Sequence, residues 1–178
     1  MRHRFAVVVG SIVTVSTATA QARPAINLVT HSRVEINRGA AAIWPRIVDP
    51  SEWKQGLKLR HHGGTPGAAG EVLAAVDPAN PAEPAFLVEN VELVPNVRRT
   101  IKLYLPSGGL IGYATWTLEP RGATTVVGYD VYSETLVPAE AARTTDLAEQ
   151  QRVEYGTNQK RFDAELVALK RLVEGARR

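Results

Sequence analysis

Residues 26–53 read INLVTHSRVEINRGAAAIWPRIVDPSEW, and this stretch decides which fold the chain is expected to adopt. Its first part alternates, with Leu28 and Val34 on one side, and this period of two predicts a strand. The alanines that follow favour a helix whose geometry Pro45 limits, and Asp49 begins a second short helical turn. The stretch therefore predicts a strand followed by two short helices.

The chain from there to residue 133 is rich in predicted strands. Six are expected, at 56–62, 70–76, 86–94, 97–105, 111–119 and 123–133. The joints between successive strands are short, which predicts antiparallel pairing. The segment Asp77–Pro84 contains three prolines. Because proline lacks the N–H that a sheet requires, this segment is predicted to be a loop rather than a strand.

A helical pattern begins at Pro138 and runs to the end of the chain. Residues 139–155 are rich in alanine and charge, and Gly156 is predicted to break the helix there. The final helix carries an apolar stripe, which consists of Phe162, Leu166, Leu169 and Val173. Only this helix is long enough to cover a seven-stranded sheet. The predicted fold class is α+β, a seven-stranded antiparallel sheet wrapped around a long C-terminal helix.

Residues 1–22 have the pattern of a signal peptide. Arg2 and Arg4 precede the uncharged run 5–15, and small residues lead to a predicted cleavage site after Ala22. The apolar run is shorter than the roughly 20 residues that span a bilayer, although a retained anchor is the alternative. We therefore expect an exported, periplasmic or secreted bacterial protein, with one domain at 23–178 and no stable membrane insertion after cleavage.

Composition excludes several classes of function. The chain has no cysteine, so disulfides and thiolate chemistry are excluded. Its net charge of +3 falls to about +1 when Arg2 and Arg4 leave with the signal peptide. The basic balance is therefore weak evidence for nucleic acid, and no nucleic-acid partner is predicted.

Short motifs spread over residues 23–178 carry a resemblance to a known superfamily. They are Val34–Asn37, Ala42–Asp49, Trp53, Gly67–Gly70, Gly122–Val126 and Leu166–Glu174. On these residues the chain resembles the START/Bet v1-like superfamily, in particular the polyketide cyclase/dehydrase-like branch labelled SRPBCC. The resemblance implies a helix-grip fold with an internal cavity. The rival is a lipocalin barrel, which would show Gly-x-Trp near the exported N-terminus, whereas Trp44 lies in a helical context.

The resemblance also implies a class of function. We expect an exported binding protein that holds a small hydrophobic ligand, such as a lipid or an aromatic or polyketide-like molecule, without a cofactor. The alternative is a cyclase- or dehydrase-type enzyme that acts on such a substrate by general acid/base chemistry. A third hypothesis makes residues 139–155 a lid or docking surface.

The phase of the strands suggests which residues face the cavity. In the predicted strand 111–119, the alternating residues on the side of Trp116 are more apolar than those on the other side, so they are predicted to point inward. In the preceding strand, the residues on the side of Arg99 are also predicted to point inward. Trp116 as a simple core residue remains the alternative. Asp130 and Tyr132 are candidates for moving protons. The predicted ligand-binding residues are Arg99, Ile101, Leu103, Gly112, Ala114, Trp116, Asp130, Tyr132, Phe162, Leu166 and Leu169.

Two polar features complete the expectations. An inward Arg99 requires a partner, which is predicted to be Glu89 or Asp130, or else an anionic group of a ligand. The adjacent His61 and His62 point to opposite faces of a strand, so no metal site is predicted.

Overall fold

The computed structural model describes residues 25–54, 58–77, 80–137 and 146–175. The predicted signal peptide lies outside these residues and stays a prediction. The described elements are β1 (Ala25–Ile36), α1 (Ala40–Val48), a 3-10 turn (Pro50–Glu52), β2 (Lys58–Gly63), β3 (Val72–Asp77), β4 (Asn80–Val94), β5 (Arg98–Tyr104), β6 (Leu110–Arg121), β7 (Thr124–Leu136) and α2 (Leu147–Gly175).

All seven strands form one antiparallel sheet. The strand order is β1-β7-β6-β5-β4-β3-β2, so every strand from β2 to β7 pairs with its neighbour in the sequence. Tight turns make this possible. Asn96 and Gly122 adopt positive φ angles of 62° and 64° between β4 and β5 and between β6 and β7. With α2 as the long C-terminal helix, this is the predicted helix-grip fold.

The long helix α2 runs along the edge strand β1. Side chains of Gln151, Gln159 and Lys170 donate to the main-chain carbonyls of Asn27, His31 and Glu35, over 3.0, 2.9 and 2.7 Å respectively. These hydrogen bonds provide donors for carbonyl groups that an edge strand otherwise exposes to solvent. They also explain how a helix with few apolar residues is held in place.

The inner face of the sheet packs on α1 and on the apolar stripe of α2. Ile43 and Ile47 of α1 are fully buried, and the predicted stripe of α2 is buried from Phe162 to Val173. Trp53 anchors the 3-10 turn, because its indole Nε1 donates to the carbonyl of Arg46 over 2.6 Å. The strand, the short helices and the final helix thus share one core.

The predicted loop at Asp77–Pro84 is wrong for all of its described residues; Asp77 ends β3, and residues 78–79 lie outside the described part of the chain. Asn80–Pro84 belongs to β4, where Pro84 pairs with Val76 and Asn80 with Asp77. The register shifts on both sides of Val76, so the prolines lie where the ladder is already irregular. Strand pairing over the rest of β4 therefore outweighs the local preference of these residues.

The predicted break at Gly156 is also wrong, because α2 continues through it from Leu147 to Gly175. A glycine inside a helix costs about 1 kcal/mol relative to alanine. Here Gln151 and Gln159 hold the helix to β1 on either side of Gly156. Tertiary contacts thus offset the local cost. Within the described residues, no helix is long and apolar enough to cross a membrane.

Candidate functional site

A cavity of about 570 Å³ lies between the inner face of the sheet and α2. Most of its walls are apolar. The apolar lining includes Leu59, Phe86, Val88, Ile101, Leu103, Ile111, Ala114, Trp116, Val131, Phe162, Ala164 and Ala168. Arg161 and Ala164 line it while remaining exposed, so the cavity reaches the surface beside α2.

Three aromatic rings form one wall of this cavity. Trp116 and Tyr129, which are opposite each other on β6 and β7, stack with centroids 4.6 Å apart and planes 12° apart. Phe162 of α2 meets Tyr129 edge-on, with centroids 5.2 Å apart. Both geometries are favourable for aromatic pairs. The three side chains are 2%, 3% and 4% exposed, so this wall is closely packed.

A polar group of three residues interrupts the apolar lining. The ammonium of Lys54 donates to the hydroxyl of Tyr129 over 2.9 Å and lies 2.9 Å from the carboxylate oxygen Oε2 of Glu165. It also lies 5.4 Å from the ring centre of Trp116. The chain therefore brings an ammonium, a phenol and a carboxylate together at one side of the cavity.

The protonation of this group follows from its surroundings. Burial alone would lower the pKa of Lys54, but attraction by Tyr129 and Glu165 outweighs it and raises that pKa above 10.5. Burial raises the pKa of Tyr129 above 10.0, against the opposing charge of Lys54. At neutral pH the group holds an ammonium and a neutral phenol. Such an arrangement donates hydrogen bonds and protons, and it contains no amine nucleophile.

Arg99 lies at another part of the same cavity and is 1% exposed. Its Nη1 donates to the carbonyls of Ile47 and Val48 over 2.6 and 3.0 Å, and its Nε donates to Asn90 Oδ1 over 2.9 Å. The carbonyls at the end of a helix lack partners within the helix and carry partial negative charge, which explains this contact with α1. Burial lowers the pKa of Arg99 to about 10, so the guanidinium is charged at neutral pH.

The two predicted protein partners of Arg99 are therefore wrong. Neither Glu89 nor Asp130 reaches it; Asn90 and the end of α1 hold it instead. Asn90 is supported in turn by Glu71, whose Oε2 accepts from Asn90 Nδ2 over 3.2 Å. Glu71 is 7% exposed, so the guanidinium rests on a buried polar network.

Two donors in the cavity wall have no partner. Arg99 Nη2 and the indole nitrogen Nε1 of Trp116 are buried and donate no hydrogen bond to any described residue. Both residues line the cavity. The two nitrogen atoms themselves are covered by protein atoms, and the guanidinium carbon Cζ of Arg99 lies 5.9 Å from the ring centre of Trp116.

The structure brings most of the predicted ligand-binding residues to one place. The cavity lining includes Arg99, Ile101, Leu103, Gly112, Ala114, Trp116 and Phe162. Leu166 and Leu169 lie in the core beneath the lining rather than in it. Ligand contact stays a prediction for all of them.

Asp130 and Tyr132 do not bring their polar groups to the cavity. The carboxylate of Asp130 lies 2.8 Å from His31 Nδ1, and both side chains are well exposed, at 40% and 65%. The hydroxyl of Tyr132 donates to the exposed Asn27, although the residue touches the cavity wall. β7 presents Tyr129 and Val131 inward, in the opposite phase to the predicted one.

The packing of the backbone also explains why residue 112 is a glycine, in addition to the space that it leaves for a guest. A Cβ at this position would overlap the main-chain carbonyl oxygen of Tyr132 on β7. The close approach of β6 and β7 thus requires glycine here.

Sequence reasoning missed Lys54, Tyr129 and Glu165. One signal was available, because Val127, Tyr129 and Val131 form the more apolar phase of β7, and the rule applied to β6 would have placed Tyr129 inward. Nothing in the sequence connects Lys54 with Glu165. Within the described residues, no group of three or more His, Asp or Glu side chains gathers as a metal site.

Comparison with known proteins gives similarity in structure only. No family model matches the sequence, and no curated protein matches it. Among solved structures, protein MLL2253 from Mesorhizobium loti is 15% identical with a TM-score of 0.58, over 85% of this chain and 100% of that one. Norcoclaurine synthase from Thalictrum flavum, in complex with dopamine and hydroxybenzaldehyde, is 17% identical with a TM-score of 0.55, over 99% of both chains.

The di-domain ARO/CYC BexL from the BE-7585A biosynthetic pathway is also similar. It is 17% identical with a TM-score of 0.62, over 86% of this chain, which spans only 52% of BexL. Identities this low report on fold and not on activity. The resemblance found in the sequence is confirmed at the level of the fold: this chain shares the helix-grip fold with these solved structures.

Proposed function

We propose that this protein is an exported carrier or sensor that binds a small hydrophobic or aromatic molecule in the cavity between the sheet and α2. The observation that carries the proposal is the cavity itself, whose volume of about 570 Å³ lies in the usual range of small-molecule sites. Its walls are mainly apolar, with a few polar groups that can orient a guest.

Two further observations support the proposal. The cavity lining includes the aromatic side chains of Phe86, Trp116, Tyr129 and Phe162, which is typical of sites for apolar or aromatic molecules. The similar structure of norcoclaurine synthase contains dopamine and hydroxybenzaldehyde, which are small aromatic molecules. Export is proposed from the signal-peptide pattern of residues 1–22 alone.

Native mass spectrometry of the protein purified from its own host tests this function. We expect a discrete mass excess that disappears on denaturation and is recovered in an organic extract. The mass of the denatured chain also reports whether cleavage occurs after Ala22. A clean mass with no guest would count against a carrier, because a tight binder retains some cargo during purification.

An acid-catalysing enzyme of the cyclase type is the second candidate, and the cluster of Lys54, Tyr129 and Glu165 favours it. During enolisation the carboxylate of Glu165, which also lines the cavity, would accept the proton from the α-carbon, while the ammonium and the phenol stabilise the negative charge that develops on the carbonyl oxygen. The charged state of Lys54 argues against a Schiff-base mechanism, which requires the neutral amine.

Proton exchange provides a direct test of the second candidate. Wild-type protein should accelerate deuterium incorporation at the α-carbon of 2-naphthylacetone in D₂O, as followed by NMR. Lys54→Met should abolish the acceleration, whereas Asp130→Asn should retain it because Asp130 lies on the outer face. A wild-type rate equal to that of buffer would contradict the enzymatic function with this class of ketone.

A further inference from the structure

We infer that Arg161 is a specificity-determining residue at the mouth of the cavity, where its guanidinium binds the anionic head group of an amphipathic guest. The head group would be an oxyanion such as a carboxylate, a sulfonate or a phosphate. The apolar body of the guest would extend inward along the sheet. The inference rests on the proposed function, because it names the class of molecule that the cavity binds and the orientation of that molecule.

Arg161 lies where the cavity opens to solvent. It lines the cavity and is exposed, as is Ala164 about one turn further along α2. The aliphatic stem of an arginine can cover an apolar surface while its charged end stays in water. A head group can therefore reach Arg161 from solvent, whereas Nη2 of Arg99 is covered by protein atoms.

The side chain of Arg161 is held against the cavity wall. Its guanidinium carbon Cζ lies 4.5 Å from the ring centre of Phe162, which also lines the cavity. A cation–π contact of this kind at an exposed site gains about 0.5–1 kcal/mol. Burial raises the pKa of Tyr129, and the charge of Arg161 is one of the influences that oppose this rise. The positive charge of Arg161 thus acts on the inside of the cavity as well as at its surface.

The charge of Arg161 is available to a guest. No carboxylate of the described residues forms an ion pair with it. The ammonium of Lys54 is instead paired with Glu165, which is the acidic residue among the described residues that line the cavity. Arg99 also lines the cavity, so the lining has an excess of positive charge, and Arg161 is its exposed part. A cleft with an excess of one sign of charge attracts molecules of the opposite sign.

The chemistry of the mouth and that of the interior suit the two ends of an amphipathic anion. A guanidinium offers two parallel N–H groups to an oxyanion, which is why arginine is favoured where such groups are bound. An oxyanion at the mouth keeps part of its hydration, so it avoids most of the cost of burying a charge. Deeper in the cavity, the strands supply apolar side chains for the body of the guest, including Val88, Ile101, Leu103 and Ile111.

Two pairs of probes separate the head group from the body. The anions are 8-anilinonaphthalene-1-sulfonate and decanoic acid, and their neutral counterparts are N-phenyl-1-naphthylamine and decanamide. Fluorescence titration of the first pair and calorimetry of the second, at neutral pH, give the ratio of anion affinity to neutral affinity. Arg161→Met keeps the aliphatic stem but removes the charge, and should lower this ratio fivefold or more. Lys160→Met removes the same charge from the adjacent exposed residue, which does not line the cavity, and should leave the ratio unchanged.

Salt provides a second measurement on the wild-type protein. Raising the ionic strength from about 0.01 M to about 1 M shortens the screening length from about 30 Å to about 3 Å. Because Arg161 is exposed, the affinity for each anion should fall, whereas that for its neutral counterpart should not. Binding of both members of a pair should be lost in Ala114→Trp, which fills the cavity.

The outcomes distinguish this inference from the proposed function. A ratio that is unchanged in Arg161→Met, or that falls equally in Lys160→Met, would overturn the role of Arg161 and leave cavity binding intact. Failure of all four probes to bind would contradict cavity binding itself. Arg161→Glu makes the test sharper, because reversal of the charge should lower the ratio further than Arg161→Met does. A ratio in Arg161→Glu equal to that of the wild type would place the head group away from this residue.

Discussion

Lys54 Nζ lies 2.9 Å from Glu165 Oε2, and this ion pair joins the segment after the 3-10 turn to the middle of α2. Both side chains are mostly buried, with 16% and 21% exposed. A buried ion pair gains little net stability over an apolar pair, because both charges lose their hydration. Its position at the cavity suggests that it serves the site by holding an ammonium beside Tyr129.

Breaking the ion pair from one side should be more damaging than removing it altogether. Glu165→Gln leaves the ammonium of Lys54 without its counter-ion, and we expect a loss of about 1–3 kcal/mol in the free energy of unfolding. Lys54→Met combined with Glu165→Gln should lose less than the sum of the two single variants. Urea denaturation of the four proteins measures this coupling.

The exposed pair of Arg152 and Glu149 provides the control for that cycle. It lies in the first turns of the same helix, and both side chains are more than half exposed. Arg152→Met should leave the urea midpoint unchanged, because water screens such pairs. Additive effects at Lys54 and Glu165 would show that the buried pair is not coupled.

The cluster of Lys54 and Tyr129 should contribute less stability as the pH rises above about 10. The pKa of Tyr129 is raised above 10.0 and that of Lys54 above 10.5. In the window above those values the native state holds protons that the unfolded chain has lost, so stability decreases with rising pH. Arg99 acts in the opposite direction, because its pKa is lowered to about 10 and the unfolded chain then holds the extra proton.

Comparing variants isolates the decrease that comes from the Lys54 cluster. Tyr129→Phe removes one titrating group and one hydrogen bond of Lys54, so the slope of its unfolding free energy against pH, above about pH 10, should be less negative than that of the wild type. Denaturation at several pH values gives the slope of the unfolding free energy against pH for wild type and for Tyr129→Phe. Identical slopes in wild type and Tyr129→Phe would refute the assigned contribution of this phenol.

Arg99 should be important for the stability of the fold. Arg99→Met leaves Asn90 and the last carbonyls of α1 without their donor, and we expect a loss of about 2–4 kcal/mol. Arg98→Met is the matched control, because the neighbouring arginine points outward and pairs with the exposed Glu92. Thermal unfolding of both variants checks the difference. A similar small effect for both would argue against the structural role of Arg99.

Filling the cavity should abolish binding without unfolding the protein. Ala114 is 3% exposed and lines the cavity, so Ala114→Trp places a large ring in the space for the guest. Tyr113→Trp is the control, since Tyr113 lies on the same strand with its side chain exposed. Circular dichroism should show both variants folded, and calorimetry should show loss of binding only for Ala114→Trp. Unchanged affinity in that variant would place the ligand elsewhere.

The sequence predicted the parts of this protein that depend on local pattern. The period of two, the tight turns and the stripe from Phe162 to Val173 were enough for seven strands, their antiparallel pairing and a long C-terminal helix that covers the sheet. The same pattern placed Arg99, Ala114 and Trp116 inward, because side chains on one strand must alternate. The predicted signal peptide at 1–22 also rests on local pattern alone.

Only the tertiary structure decided the features that arise from distant contacts. Gly156 stays helical because Gln151 and Gln159 are bonded to β1, and Asn80–Pro84 becomes a strand because β3 pairs with it. Arg99 bonds α1 because packing brings the end of that helix to β5. Lys54 meets Glu165 for the same reason. A pattern of neighbours along the chain specifies which face a residue occupies, whereas its partner across the cavity depends on how whole elements pack.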